Sequence, residues 1–312
     1  MSVRQKYALN GECFFENARF HMERNDFPEI PIGRVGMRGG WFIKMRHKNG
    51  TYRPFIVTRQ EVPRFEGRFY FNVLKNDGSS VFTVEKQGRM SIKEGLSGVE
   101  VEVGEWLKEE NGYLRDGGIL VEYGLQIEGF LLDDDTWTFN FYDPMFGSQQ
   151  TIGFHEESKN GGLSYLYCHK QLLTFHSPYF DSHKETPMIE LPGDRKITVE
   201  LKARYIDYLE FFLEVCHGVL RTVKDPLIDA YLAFAQEYKL SNVTRLLDQT
   251  MHRDTSGKKM VLSSAIKTRH CLADWLEEQG SSRELAEELR DMGLKEIPGE
   301  AMKQFVRFFF TH

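Results

Sequence analysis

Three adjacent pairs of cysteine and histidine are the side chains best suited to metal binding or nucleophilic chemistry: Cys168-His169, Cys216-His217 and His270-Cys271. Neighbouring residues in a strand or helix point in different directions, so one pair rarely supplies two ligands to a single zinc ion. The closely spaced cysteines typical of structural zinc sites are also missing. We therefore expect no metal site and interpret these cysteines as buried side chains.

Two other segments have compositions that could hold a ligand. Residues 33–40 contain four glycines, but the pattern indicates no strand before them and no helix after them, and a phosphate-binding loop needs both. They lead instead into a predicted strand at Trp41, which favours an ordinary loop. Residues 133–135, with Asp143, offer carboxylates to a hard cation, but they lack the ligand spacing of a calcium loop and suit a solvated linker.

No signature of a known catalytic type occurs in the chain, including the nucleophile elbow, the zinc-protease helix and the phosphate-binding lysine loop. We predict no catalytic residue, no metal and no cofactor. The sequence thus favours a binding protein over an enzyme built on its N-terminal region.

Composition and charge limit the classes of partner. A chain of 312 residues usually forms two domains, and its 24 phenylalanines supply ample material for packed cores. The formal net charge of −6 predicts no nucleic-acid partner. No signal-like start, no membrane-length apolar run and no C-x-x-C pair occurs. We expect a soluble intracellular protein, cytoplasmic or nuclear, with no membrane partner.

The sequence pattern indicates two parts with different secondary structure, and these must position the cysteine, histidine and aspartate residues discussed above. Residues 8–130 alternate short β-branched and aromatic runs with turn dipeptides such as Asn49-Gly50, which predicts an antiparallel sandwich. Residues 131–138 are a polar linker. Residues 139–250 begin with strands and continue with amphipathic helices, of which one ends at Gly218. Further helix starts are indicated at Asp225-Pro226 and Ser241.

The segment 165–180, Y-L-Y-C-H-K-Q-L-L-T-F-H-S-P-Y-F, predicts a strand, a short helix, a sharp break and a second short helix. Serine is a preferred N-cap and proline is tolerated in the first turn, so Ser177-Pro178 marks the break. Adjacent Phe211 and Phe212 cannot both face one core, and we expect one of them to meet a partner.

The tail, residues 251–312, is predicted to be helical. Ser281 and Glu284 form a capping box that opens a helix over residues 283–292, with Gly293 as its stop. A last amphipathic stripe is predicted at Met302, Phe305, Val306 and Phe309.

Four pieces of the N-terminal part resemble a MATH (TRAF-like) domain over residues 8–130. They are W-F-I at residues 41–43, F-x-F-x-x-L-x-N at 69–76, the turn N-G-Y-L-R-D at 111–116 and the closing strand at 120–127. Residues 139–250 resemble a BTB (POZ) domain, through the His-Lys that enters a leucine-containing helix at 169–173 and through L-x-x-A-x-x-Y at 232–238. The tail is similar to the helical extensions that follow BTB domains.

The resemblance implies an α+β multidomain protein that acts as a substrate adaptor of a cullin-based ubiquitin ligase. In that family the MATH groove binds a peptide as an added strand, and the BTB domain forms dimers and docks the cullin. The expected partners are therefore a second copy of the chain, a cullin scaffold and an unidentified protein substrate. The alternative is a homo-oligomeric scaffold, assembled through the BTB domain, with no ligase role.

The family pattern carries over to individual positions. Phe69, Tyr52 and Met90 are the candidates for the peptide groove, whereas Gly95-Leu96-Ser97 replaces the family's Trp-Gly-Phe and implies a different peptide preference. The candidates for the BTB interface are His169, Lys170, Phe175, Tyr179, Phe180, Glu185 and Phe211.

Overall fold

The chain divides into two compact units in a computed structural model, the first formed by Met1–His169 with Glu185–Lys202 and the second by Lys170–Lys184 with Ala203–His312. The predicted boundary at residues 131–138 stays a prediction. The structure describes residues 6–36, 38–93, 95–132, 135–144, 151–157, 163–182, 189–191, 195–197, 199–202, 206–219, 225–253, 265, 267–290, 292–293, 295 and 297–312.

Antiparallel sheets dominate the first unit. One has the strand order β1-β10-β5-β6, with β9 and β11 also paired to β10, and another has the order β2-β3-β4-β7, with β8 paired to β4. The strands are β1 Leu9–Phe15, β2 Ile30–Val35, β3 Arg38–Lys48, β4 Thr51–Thr58, β5 Arg64–Leu74, β6 Ser80–Met90, β7 Leu96–Ser97, β8 Val101–Glu102, β9 Leu114–Arg115, β10 Gly118–Leu131 and β11 Trp137–Phe139.

Alternating side chains build the core of these sheets, because successive residues of a strand point to opposite faces. Trp41, Ile43 and Met45 of β3 are buried at every second position. In β5, Phe69 and Phe71 face the same core with their rings 5.7 Å apart. The short helices α1, Ala18–Arg24, and α2, Val103–Leu107, interrupt a region whose sequence shows almost no helical period.

The remaining strands of the first unit form smaller sheets. Strand β12, Thr151–Glu157, pairs antiparallel with β13, Leu163–His169, and parallel with β16, Val199–Lys202. Strands β14, Ile189–Leu191, and β15, Arg195–Ile197, form a hairpin.

The second unit is helical. Aromatic side chains of its first half cluster around Tyr238, and a second cluster centres on Trp275, Leu285 and Phe305. The helices are α3 Lys170–His176, α4 Pro178–Ser182, α5 Ile206–Cys216, α6 Asp225–Glu237, α7 Ser241–Arg253, α8 His270–Glu277, α9 Ser282–Leu289 and α10 Gly299–Thr311.

Several local predictions are confirmed. The N-terminal part is antiparallel β structure, the C-terminal part is helical, and residues 165–180 form the predicted strand, helix, break and helix. Gly218 follows α5 with φ +81°, a conformation that suits glycine. The Ser281 Oγ accepts a hydrogen bond from the Glu284 N–H at 3.3 Å, and the Glu284 side chain accepts one from the Gly280 N–H at 2.8 Å.

Other local predictions are wrong. Strand β2 runs into the glycine-rich segment and contains Gly33, whereas no strand is predicted there, and β3 contains Gly39 and Gly40, so the segment joins two strands and leads into no helix. Helix α9 ends at Leu289, before the predicted stop at Gly293. On α10 the buried side chains are Ala301, Phe305 and Phe308, whereas Val306 and Phe309 are exposed.

Candidate functional site

Helix α3 exposes two large apolar side chains. Leu173 faces the core, but Phe175 is 84% exposed and Leu172 is 45% exposed. Residues three apart lie on one side of a helix, so Leu172 and Phe175 form a single outward surface. Grouped apolar side chains of this kind are typical of association surfaces.

Two hydrogen bonds and a ring contact hold the break after α3 and orient that surface. The buried Ser177 Oγ accepts a hydrogen bond from the Tyr179 N–H at 3.1 Å and donates one to the Tyr238 carbonyl oxygen. Phe180 is buried and stacks on the Tyr238 ring at 5.4 Å. Burial, together with the nearby Glu237 carboxylate, raises the pKa of the half-buried Tyr179. The sequence motif at Ser177 thus anchors α3 and α4 to the end of α6.

The phenylalanine pair of α5 separates as predicted. Phe212 is buried, with its ring 5.4 Å from that of Phe234, whereas Phe211 is partly exposed. The prediction that the two cannot share one core is confirmed, and contact of Phe211 with a partner stays a prediction.

The other interface candidates have different surroundings. His169 is half-buried, and burial lowers the pKa of its imidazole, an effect that the Glu128 carboxylate partly offsets. Lys170 is half-buried as the first residue of α3. Phe180 belongs to the core, and Glu185 lies outside the described residues.

The three groove candidates do not form an open surface. Phe69 is 2% exposed and Tyr52 is 1% exposed, so neither side chain can contact a bound peptide. The Tyr52 hydroxyl donates to the carbonyl oxygen of Met22 at 3.1 Å or to the Asn25 Oδ1 at 2.7 Å. Met90 is partly buried against the same core. The reason is orientation: these aromatic side chains point to the inner face of their strands, which corrects the groove assignment for Phe69 and Tyr52.

An open sheet edge is the feature of the first unit best placed to accept a peptide. Within the described residues, the long strand β6 pairs with β5 alone. Its exposed side chains include Lys86, Gln87 and Arg89. Edge strands are commonly protected from uncontrolled pairing by such charges. Sequence reasoning missed this site, although the charged residues at 85, 86 and 89, inside a region predicted to be antiparallel β structure, were a usable signal.

The cysteines are mostly core residues. Cys168 and Cys271 are buried as predicted, and Cys216 is half-buried. Burial, helped by the Asp248 carboxylate, raises the pKa of the Cys271 thiol to about 12, so this thiol stays protonated at neutral pH. Within the described ranges, no group of three or more His, Cys, Asp or Glu side chains could hold a metal ion.

Two carboxylates act as structural acceptors. Asp143 accepts hydrogen bonds from the Gly36 N–H at 2.9 Å and from the Asn140 Nδ2 at 2.6 Å, while residues 133 and 134 lie outside the described part. Asp248 is 3% exposed and accepts the N–H groups of Arg269, His270 and Cys271 at 3.0–3.1 Å. No sequence signal links Asp248 to the start of α8, because the cap comes from another helix.

No protein-family model matches the chain, and no curated protein matches it. None of the described helices is both long and apolar enough to cross a membrane.

Proposed function

We propose that the chain is a non-enzymatic adaptor that binds other proteins, in which the β-rich unit captures a substrate peptide and the helical unit assembles with partners. The observation that carries this proposal is the outward surface of α3, where Leu172 and Phe175 project from a helix anchored by Ser177. Burying this surface against a partner would stabilise the complex, since about 25 cal/mol is gained per Å² of apolar area removed from water.

The β6 edge supports the peptide-binding half of the proposal. An extended peptide can add to an open edge through main-chain hydrogen bonds, with side-chain contacts selecting its sequence. The strand presents a continuous run, Ser80–Met90, for that purpose.

The order of elements supports the ligase part of the proposal. An antiparallel β region precedes a strand, helix, break and helix, and further helices follow. This order supports a MATH domain followed by a BTB domain that forms dimers and recruits a cullin, in an intracellular complex that carries out ubiquitination.

Light scattering coupled to size-exclusion chromatography tests the assembly half with the full chain, alone and with the N-terminal fragment of a cullin. We expect a dimer and a complex with the fragment. Phe175→Ser should weaken at least one of these associations, because it removes the most exposed apolar ring of α3. Phe310→Ser is the matched control, since Phe310 is 86% exposed on another helix.

The outcomes separate the candidate functions. A dimer that binds no cullin fragment at concentrations up to about 50 µM would favour the homo-oligomeric scaffold without a ligase role. A dissociation constant above that concentration would be weak for a specific complex. A chain that stays monomeric and binds no fragment would contradict the assembly proposal, as would equal losses for Phe175→Ser and Phe310→Ser.

A further inference from the structure

A groove of about 1130 Å³ lies between α8 and α10 in the helical unit. Its walls include the exposed Ala273 and the outer edges of four side chains that are otherwise buried in the core, Leu272, Leu276, Ala301 and Phe308, and Gln236 of α6 also lines it. Helix α10 has 13 residues, so its wall is about 20 Å long at 1.5 Å per residue. This is the size of a site for a helical segment of a few turns.

The groove carries positive charge in a protein of net negative charge. The described residues that line it include four permanent cations, Lys267, Arg269, Lys303 and Arg307, and one carboxylate, Glu300. The Lys303 Nζ lies 2.6 Å from Glu300, and Lys303, with a further contribution from Arg269, lowers the pKa of that carboxyl. With a formal net charge of −6 over the whole chain, this concentration of cations selects an anionic partner.

The arrangement of donors argues against a single compact anion. A phosphate would be bound best by free N–H groups at the start of α8. The Asp248 carboxylate already accepts the N–H groups of Arg269, His270 and Cys271. The remaining cations are spread out, with Lys303 and Arg307 one helical turn apart. Their spacing suits several carboxylates distributed along a peptide.

We propose that this groove binds an acidic amphipathic helix of a partner protein. The apolar side of that helix packs against the exposed Ala273, and its carboxylates pair with the cations of the rim. The concave shape between two helices fits a helix better than a flat membrane surface. This is a binding site additional to the β6 edge and the α3 surface, and it shares no residue with either.

Fluorescence anisotropy with the full chain provides the test. The probe is a labelled synthetic peptide of about four helical turns, with leucine on one face and glutamate on the other. The same peptide with glutamine in place of glutamate is its control. We expect binding of the acidic peptide that weakens with added salt, and little binding of the neutral one.

Variants locate the site. Lys303→Gln and Arg307→Gln should each weaken binding about threefold to fivefold, the size of one screened surface charge interaction. Arg283→Gln makes the same charge change on α9, away from the groove lining, and should leave binding unchanged. Ala273→Glu, at an exposed helical position within the groove, should abolish binding by filling it with a negative charge. Unchanged circular dichroism spectra would show that the variants fold.

A photoreactive group on the peptide adds a direct readout. Cross-links within residues 267–276 or 298–311 are expected. Cross-links confined to β6, equal binding of the neutral peptide, or an equal loss with Arg283→Gln would overturn the proposal. A further contradicting result would be that the protein binds phosphatidylserine vesicles and that Ala273→Glu abolishes this vesicle binding but leaves peptide binding unchanged. The oligomeric state and cullin binding are measured separately, so failure here leaves the adaptor proposal standing.

Discussion

Asp248 is a buried carboxylate that caps the start of α8. It is almost inaccessible to solvent, yet it accepts three successive backbone N–H groups where α8 begins. Asp248→Asn removes the charge and turns an amide toward those donors. We expect the free energy of unfolding to fall by about 2 kcal/mol, within the range for a buried charged acceptor that loses its partners. Urea unfolding measures the change, and Glu277→Gln, an exposed change on α8, should have little effect.

The pH dependence of the same residue has a definite sign. Burial opposes ionisation of Asp248, but the N–H groups of His270 and Cys271 outweigh it and hold the pKa below the usual 3.8. The carboxylate therefore stabilises the fold fully above that usual pKa, and the contribution disappears as the pH falls through the lowered folded-state value. The stability gap between wild type and Asp248→Asn should narrow as the pH falls below about 4. A gap that stays constant down to pH 2 would rule out this linkage.

Among the described strands, β6 lies at the edge of its sheet, and this position is what would let it pair with a bound peptide. Alternate N–H groups of a strand point to opposite sides, so of the neighbours Lys86 and Gln87 one donates toward β5 and the other points away. Proline at the inward position removes a ladder hydrogen bond and should lower the free energy of unfolding by about 1 to 3 kcal/mol, whereas proline at the outward position should lower it much less. Urea unfolding of Lys86→Pro and Gln87→Pro distinguishes them. Equal large losses would mean that both sides of β6 are already paired.

Predictability also differs from element to element. Ser177, Gly218 and Ser281 act through their own neighbours in sequence, and each helix boundary they predict is present. The buried face of α10 was predicted wrongly, because Phe305 belongs to two overlapping helical stripes and only packing decides that Phe308 lies inside. Tyr70 is buried along with its neighbours Phe69 and Phe71, so alternation alone could not tell which aromatic side chains were inner. The groove between α8 and α10 is lined by residues that are distant in sequence, so no local sequence pattern predicts it.

The whole molecule consists of two compact units, and the chain passes between them three times, at His169, at Glu185 and at Lys202. Segments that are distant in sequence therefore complete each core. In the helical unit, Phe180 of α4 stacks on Tyr238 and fills the cluster that Phe212 of α5 shares.

Phe180→Ala tests whether these units unfold separately. Removing a fully buried ring should lower the stability of the helical unit by about 3 to 5 kcal/mol. Hydrogen exchange by mass spectrometry should then show faster exchange in α5 and α6 while β5 and β10 keep their protection, because local cores open as cooperative units. Phe71→Ala, in the β core, should produce the reciprocal pattern. If Phe180→Ala accelerates exchange equally in β5, the chain unfolds as one cooperative body and the division into units is only geometric.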